Sequence, residues 1–412
     1  MISVEDALKL ILSTTPILGM EKVDIITALG RVIGENIYSP SDIPPFDNSA
    51  MDGYAVKSED TKGASKNHPA VLTVIEDLPA GYVAKGKIKK GEAIRIMTGA
   101  PLPQGVDSVV MVEETEASGD KVKIFNEAEI NQHIRKAGED VKKGELVIPQ
   151  GTVLRPAAIG MLASLRRSFV SVYQRPLVSI LCTGDELVDV DGELKAGQIV
   201  SSNSYTLASQ VNECGGIPLL LGIARDRKDE LEQKFREGLR ADVIISSAGV
   251  SVGDYDLVKG VLQDLGMEMK FWKVAMRPGQ PLAFGTIGGK PTFGLPGNPV
   301  SSMVSFEQFV RPYLLKMQGH KKIFRPVIEA IWQEGFVKKT ERKYLVRCMV
   351  SKKEGTYIAS STGEQGSGIL KSMVLANGLA IFPEEKEVIR AGEKVKVQLL
   401  DGEAEQQEVA EY

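Results

Sequence analysis

Residues 177–186 read LVSILCTGDE, residues 243–256 VIISSAGVSVGDYD and residues 292–301 TFGLPGNPVS, and these three stretches decide the fold. Each is a short apolar run, the pattern of a strand buried on both faces, followed by a Gly- or Pro-bearing loop and then a helix-like pattern. Strand, loop and helix N-terminus repeated three times put three sets of free backbone N–H groups along one edge of a parallel sheet. Such an edge is a place to hold an anion.

Working outward, the region opening at Arg175-Pro176 alternates strands and helices. Ser202 or Asn203 is placed to cap a helix carrying Leu207, Val211 and Cys214, with Gly215 as its stop. A strand over 219–223 follows, then a helix with Leu231, Phe235 and Leu239 on one face, the strand 243–247, a helix over 256–265, paired strands at 282–284 and 292–293, and a helix from about Val300. This is the order of a parallel α/β domain, here residues 175–325.

The flanks differ in texture. Ala7, Leu8, Ile11 and Leu12 are at helical spacing behind Ser3 as N-cap, a second helix is expected over 23–29, both as small packing elements, and 155–165 returns to helix; residues 1–53 and 150–174 thus read as a helical or linker part. Residues 54–149 hold short β-prone stretches (71–75, 92–97, 109–112, 122–125) separated by Gly and Pro, the mark of an inserted β domain. Residues 326–405 hold five more, at 327–332, 344–350, 357–360, 378–382 and 395–400, which suit a small barrel or sandwich. The tail 403–412 is polar and expected to fray.

With 412 residues, 43% hydrophobic and 25% charged, the chain is globular and multidomain. A net charge of −4 gives no reason to expect nucleic acid as a partner, and the basic run at 85–90 reads as a solvated face. Three distant cysteines, Cys182, Cys214 and Cys348, fit a reducing cytoplasm rather than a disulfide framework. There is no signal-peptide pattern at the N-terminus and no apolar run of membrane-spanning length. His68, His133 and His320 have no nucleophile or second ligand nearby in sequence, so chemistry falls to carboxylates, amides, cations and a metal ion.

Thr183-Gly184-Asp185-Glu186 places two adjacent carboxylates at a strand end, where one binds Mg²⁺ and the other a ligand hydroxyl or amine; a polar helix-capping turn is the alternative. In residues 249–256, Gly249, Ser251 and Gly253 leave amides open for phosphate and Asp254 or Asp256 is a candidate metal ligand. No Walker A or Gly-x-Gly-x-x-Gly pattern occurs, which argues against a dinucleotide oxidoreductase. In the turn Pro296-Gly297-Asn298-Pro299, two prolines fix the backbone and the amides of Val300, Ser301 and Ser302 are expected to point outward, with the Ser301 hydroxyl as a further donor. Lys273 and Arg277 approach the Pro278-Gly279 turn, as an oxyanion clamp or as a surface pair.

Taken in order, PPFDNSAMDGYAV (44–56), IMTGAPLPQGVDSVV (96–110), AGEDV (137–141), TGDEL (183–187), GQIVSSN (197–203), GVSVGDYD (249–256), RPGQP (277–281), LPGNPVS (295–301) and GSGILKSMVLANGLAIFPE (366–384) resemble the molybdopterin molybdenumtransferase family, which includes the E domain of gephyrin. The resemblance implies a homodimer with an elongated helical part, an inserted β domain, an α/β domain that holds molybdopterin and a C-terminal β barrel. It implies Mg²⁺-dependent insertion of molybdate into adenylylated molybdopterin with release of AMP, in the cytoplasm, with transient contacts to a molybdopterin adenylyltransferase or to acceptor molybdoenzymes.

On the same resemblance Asp185, Glu186 and Asp256 hold Mg²⁺ or the pterin, and the amides of 249–253 cradle phosphate. Lys273, Arg277 and Ser301, with Pro296 to Pro299, bind the oxyanion, while Asn203, Thr183 and Gly184 belong to the substrate site. Asp52, Thr98 and Asp140 reach the cleft from the partner subunit, which makes Asp52, Glu186, Asp256 and Arg277 the catalytic candidates.

Three departures stand out. Gln280 replaces the family's usual Lys, which removes one positive charge near the oxyanion and implies an altered preference between molybdate and tungstate, two oxyanions of the same shape and charge. Ala248 replaces a common Gly at small expected cost, and Arg166 stands where a helix-ending Gly is usual. A molybdopterin adenylyltransferase or a non-catalytic scaffold is the competing reading, and the full-length pattern disfavours both.

Overall fold

The structure, a computed structural model, describes residues 1–248, 255–339 and 342–401; the side chains of Tyr255 and Asp256 and the tail from 402 onward lie outside the description. Helix α1 (Val4–Ser13) starts as its sequence demands, with the Ser3 hydroxyl accepting the Asp6 N–H at 3.0 Å. The helix expected over 23–29 is absent. Met20–Asp24 is extended, and the Asp24 carboxylate takes the N–H groups of Ile26 and Thr27, a local bond that competes with helix formation.

The chain divides into two compact units, one made of 24–27 and 35–170 and the other of 1–23, 28–34 and everything from 171 on. The first contains a six-stranded sheet of β1 (Gly53–Val56), β2 (Ala70–Leu78), β3 (Glu92–Ile96), β4 (Ser108–Met111), β5 (Thr115–Ser118) and β6 (Lys121–Ile124), in the order β4-β1-β3-β2-β6-β5. Residues 44–55 are too dense in Pro, Asp, Asn and Gly for a simple strand, yet they end in β1, an inner strand of this sheet: a Cβ at Gly53 would collide with the Val110 carbonyl, so glycine is what lets β1 and β4 pair. Helix α2 (Pro156–Ser164) closes with a Schellman turn, Arg167 N–H to Leu162 O and Arg166 N–H to Ala163 O, both 2.9 Å. That turn holds Arg166 at φ +59°, a left-handed conformation, which is why a glycine belongs there.

The second unit is built on a sheet of β7 (Leu177–Thr183), β8 (Ile217–Ala224), β9 (Val243–Ser247), β10 (Glu268–Lys273), β11 (Pro281–Ile287) and β12 (Lys290–Leu295), ordered β8-β7-β9-β12-β11-β10. The first four in that order are parallel, as the apolar runs predict; β11 alone is reversed, antiparallel to β12 on one side and to β10 on the other, so the sheet is mixed. Helices α3 (Ser202–Glu213), α4 (Lys228–Gly238) and α5 (Tyr255–Asp264) connect the parallel strands. Strand β7 shows why its sequence alternates apolar with apolar: Val178 and Ile180 join the core with Leu207 and Val211 of α3, and Leu181 joins the opposite core with Leu231 and Phe235 of α4.

After β12 come α6 (Pro299–Ser305), a π-helical turn over Phe306–Val310 and α7 (Arg311–Met317). The last region is a barrel of β13 (Val327–Trp332), β14 (Lys343–Lys353), β15 (Thr356–Ser361), β16 (Gly378–Phe382) and β17 (Lys394–Leu399), which closes by the pairings β14-β15-β13-β17-β16-β14. Trp332, Val346, Phe382 and Val397 fill it. Among the described residues no helix is long and apolar enough to cross a membrane.

Arg166→Gly is expected to stabilise the first unit by about 0.5–1 kcal/mol, because relief of the left-handed backbone outweighs the added freedom of the unfolded chain. Urea unfolding should show a higher midpoint at an unchanged slope; an unchanged or lower midpoint contradicts it.

Candidate active-site cleft

The parallel strands run in the order β8-β7-β9-β12, so the chain leaves β7 toward one side and returns to its other side. Ligands of open α/β sheets bind beyond the strand ends at such a switch. A cleft of about 350 Å³ opens there, lined by Cys182 and Glu186 after β7, Ser247 and Ala248 after β9, and Pro296 to Pro299 with Ser301 after β12.

The side chain of Asn203, in the first turn of α3, braces it. Its Nδ2 donates to Ser247 Oγ at 2.8 Å and to the Gly297 carbonyl at 2.7 Å, tying α3 to the ends of β9 and β12. Its Oδ1 is buried and, among the described residues, has no hydrogen-bond partner; the same holds for Thr183 Oγ1. Such groups await a ligand or water donor. Ser201, rather than Ser202 or Asn203, is the N-cap residue, and its hydroxyl bonds Ser204 Oγ instead of the helix amides.

The first loop does not open a helix directly. Its backbone continues into Leu187–Val188, paired in parallel with Ile199–Val200, and α3 begins only after that ribbon. Within it, Glu186 lines the cleft and is exposed, its carboxylate lying over Gly184, where a Cβ would run into it. Asp185 does not line the cleft: its Oδ1 accepts the Asp226 N–H at 3.3 Å and its carbonyl accepts the Arg225 guanidinium at 2.8 Å. Among the described residues no three His, Cys, Asp or Glu side chains form a metal-binding group. Gly249, Ser251, Gly253 and Asp254 lie outside the described residues, and Asp256 is described only as part of the α5 backbone.

The amides after the Pro-Gly turn are less open than the sequence implies. Val300 N–H donates to the Ser367 carbonyl at 3.1 Å and Ser302 N–H to the Asn298 carbonyl at 2.9 Å. Ala248 itself sits at φ +76°, a left-handed conformation, so the alanine costs about 1 kcal/mol there rather than little. A Cβ at Gly297 would lie 3.1 Å from that of Ala248, so the two strand ends meet closely.

On the cationic side, Pro281 lines the cleft, while Pro278 and Gly279 are buried beside it, Gly279 packing on Ser305 of the π-bulged helix. Arg277 is exposed; its guanidinium donates to Tyr344 Oη at 3.1 Å and lies 5.3 Å from that ring's centre. Lys273 is exposed at the end of β10, opposite Pro281. Gln280 Oε1 accepts from the guanidinium of Arg342, so a cation from the barrel region stands at the position where the sequence shows a charge missing. Arg342 and Ser367 were beyond sequence reasoning, since each arrives from far along the chain. Ser247 had a signal in the polar end of its strand.

Asp52, Thr98 and Asp140 all belong to the other compact unit. Asp52 Oδ1 accepts both the N–H and the hydroxyl of Thr98 at 2.7 Å, which holds its carboxyl below the usual range. Asp140 is exposed, its N–H donating to the Ile43 carbonyl.

Three family models match this architecture: the MoeA N-terminal region (domains I and II) over residues 2–165, the probable molybdopterin binding domain over 179–316 and the MoeA C-terminal region (domain IV) over 329–400. The chain belongs to the MoeA family. The molybdopterin molybdenumtransferase of a Nostoc species is 37% identical over 96% of this chain and 93% of its own length. Molybdopterin molybdenumtransferase 2 of Mycobacterium tuberculosis is 38% identical over 91% and 94%. Two crystal structures of the MoeA protein of Pyrococcus horikoshii superpose with TM-scores of 0.83 and 0.82 at 36% and 34% identity, covering 97% of this chain. They are covered to 99% and 100% themselves.

Asn203→Ala removes both bracing bonds and strands the Gly297 carbonyl, with an expected loss of about 1–3 kcal/mol in urea unfolding of the second unit. A loss below a few tenths of a kcal/mol would show that the brace does not hold the strand ends together.

Proposed function

We propose that this MoeA-family chain inserts molybdenum in molybdenum-cofactor biosynthesis, accepting adenylylated molybdopterin and molybdate and releasing AMP with Mg²⁺. The observation that carries the reading is the unpaired Asn203 Oδ1 in a cleft at the sheet's switch point. A pterin presents amine and ring N–H donors, and a buried amide acceptor fixed by two bonds of its own amine is a matched partner. The anionic parts of the substrates then lie toward the 296–299 turn, Ser301 and the cations Arg277 and Arg342. Two oxyanions handled in one cleft give a role to Arg342, which bonds Gln280 next to the lining residue Pro281, and to Arg277, three residues before Gln280 in the chain.

Among the described residues one carboxylate, Glu186, faces the cleft, and this suits Mg²⁺, which keeps several waters and takes one or two carboxylates together with substrate phosphate oxygens. Glu186 would hold the ion, with Asp256 as a second candidate; Asp185 is engaged with the end of β8. The ion, when bound, offsets phosphate charge. Glu186 also orients the substrate, and the Pro-fixed turn excludes water from one side of it. The homodimer, with Asp52, Thr98 and Asp140 offered to a partner's cleft, the cytoplasmic location and transient contacts with a molybdopterin adenylyltransferase or acceptor molybdoenzymes belong to the same proposal.

The test is AMP release from adenylylated molybdopterin with Mg²⁺, with and without molybdate. Molybdate-dependent release supports the transferase; tight binding without release contradicts it. Glu186→Ala is expected to lower turnover at least a hundredfold without dissociating the dimer in sedimentation, and full activity removes Glu186 from the mechanism. Gln280→Lys would set a second cation against Arg342 and is expected to shift the molybdate-to-tungstate rate ratio; an identical ratio excludes Gln280 from oxyanion selection.

A further inference from the structure

Arg347, on the outer face of β14 beside the core residue Leu345, is 1% exposed and has no carboxylate partner among the described residues. Burial lowers its pKa to about 10, so it stays charged at neutral pH. Its guanidinium instead grips a loop. Nε donates to Ser372 Oγ at 3.0 Å, and the terminal nitrogens donate to the carbonyls of Gly366 at 2.9 Å, Gln365 at 3.3 Å and Glu364 at 3.4 Å. The Gln365 side chain bonds back, accepting the Arg347 N–H at 2.9 Å and donating to the Arg347 carbonyl at 3.1 Å.

The next carbonyl in that loop is Ser367, the acceptor for Val300 N–H in the first turn of α6. Val300 directly follows Pro299 of the cleft-lining turn. A buried cation satisfied by neutral carbonyls and a hydroxyl, with no carboxylate, stabilises a fold less than an apolar side chain of equal volume, so its gain lies in fixing one arrangement of the loop. We propose that Arg347 is a positioning residue: it cages the carbonyls of 364–366 so that Ser367 caps α6 and fixes the Pro296–Pro299 turn against the substrate. The barrel thereby sets the shape of a cleft to which its strands contribute no lining residue. This rests on the transferase reading of the cleft.

The experiment compares full-length parent, Arg347→Met and Gln365→Ala by hydrogen exchange and by steady-state kinetics. Met keeps the volume and removes the fork, and Gln365→Ala loosens the loop from a half-buried position. Both variants are expected to exchange at least tenfold faster in the peptide covering 296–303, with barrel strands β13 and β17 still protected. The KM for adenylylated molybdopterin should rise at least fivefold, with kcat changed less than threefold.

Unchanged exchange at 296–303 in both variants overturns the proposal whatever the activity. Faster exchange with an unchanged KM overturns the link to substrate. If Arg347→Met loses protection throughout the barrel, Gln365→Ala decides by the same two readings. An inactive parent would count against the transferase reading, and the exchange comparison would still judge the Arg347 cage.

Discussion

The cleft depends on the amide of Asn203. Its two donors join the first turn of α3 to Ser247 at the end of β9 and to Gly297 after β12, and Ser247 Oγ in turn reaches the Pro296 carbonyl at 3.3 Å. Three chain segments spread over 94 residues are thus locked by one side chain, and its remaining oxygen is left for whatever enters. Inside a protein an amide so held costs little to reorganise when a ligand arrives, which is the physical meaning of a preformed site.

Around that brace the structure divides its polar work. Glycine at 184 makes room for the Glu186 carboxylate, prolines at 296 and 299 fix the turn, and cations stand outside on Arg277, anchored by Tyr344, and on Arg342, anchored by Gln280. The helix after the turn offers fewer free amides than a bare N-terminus, because Pro299 has none and Ser367 takes that of Val300, while Ser302 makes the first helical bond to Asn298. Anion binding therefore falls more on side chains and the turn than on the helix dipole, whose reach is short in any case.

Much of this was legible in the sequence for one reason: strands covered on both faces must be apolar throughout, so β7, β9 and β12 announce themselves, and the Gly and Pro residues after them mark where backbone must turn. The five barrel strands were readable on similar grounds. Edge elements were not. Strand β10 buries only Phe271 and carries Glu268, Lys270 and Lys273, so its pattern is that of a polar connector. The helix expected at 23–29 failed because Asp24 offers a competing local bond. Glu186, Asn203 and the 296–299 turn, which line the cleft, lie in motifs the sequence displays, while Arg342, Arg347 and Ser367 act across distances in sequence that no spacing rule encodes. The left-handed backbone at Ala248 is not legible in spacing, because an alanine carries no sequence mark of its own φ.

The most direct measurement is a crystal structure with adenylylated molybdopterin bound. The account predicts the pterin beyond the ends of β7, β9 and β12 with a ring or amine N–H within hydrogen-bonding distance of Asn203 Oδ1 and the phosphates toward the 296–299 turn. A ligand bound elsewhere, or one that leaves Asn203 Oδ1 unpaired, would contradict it.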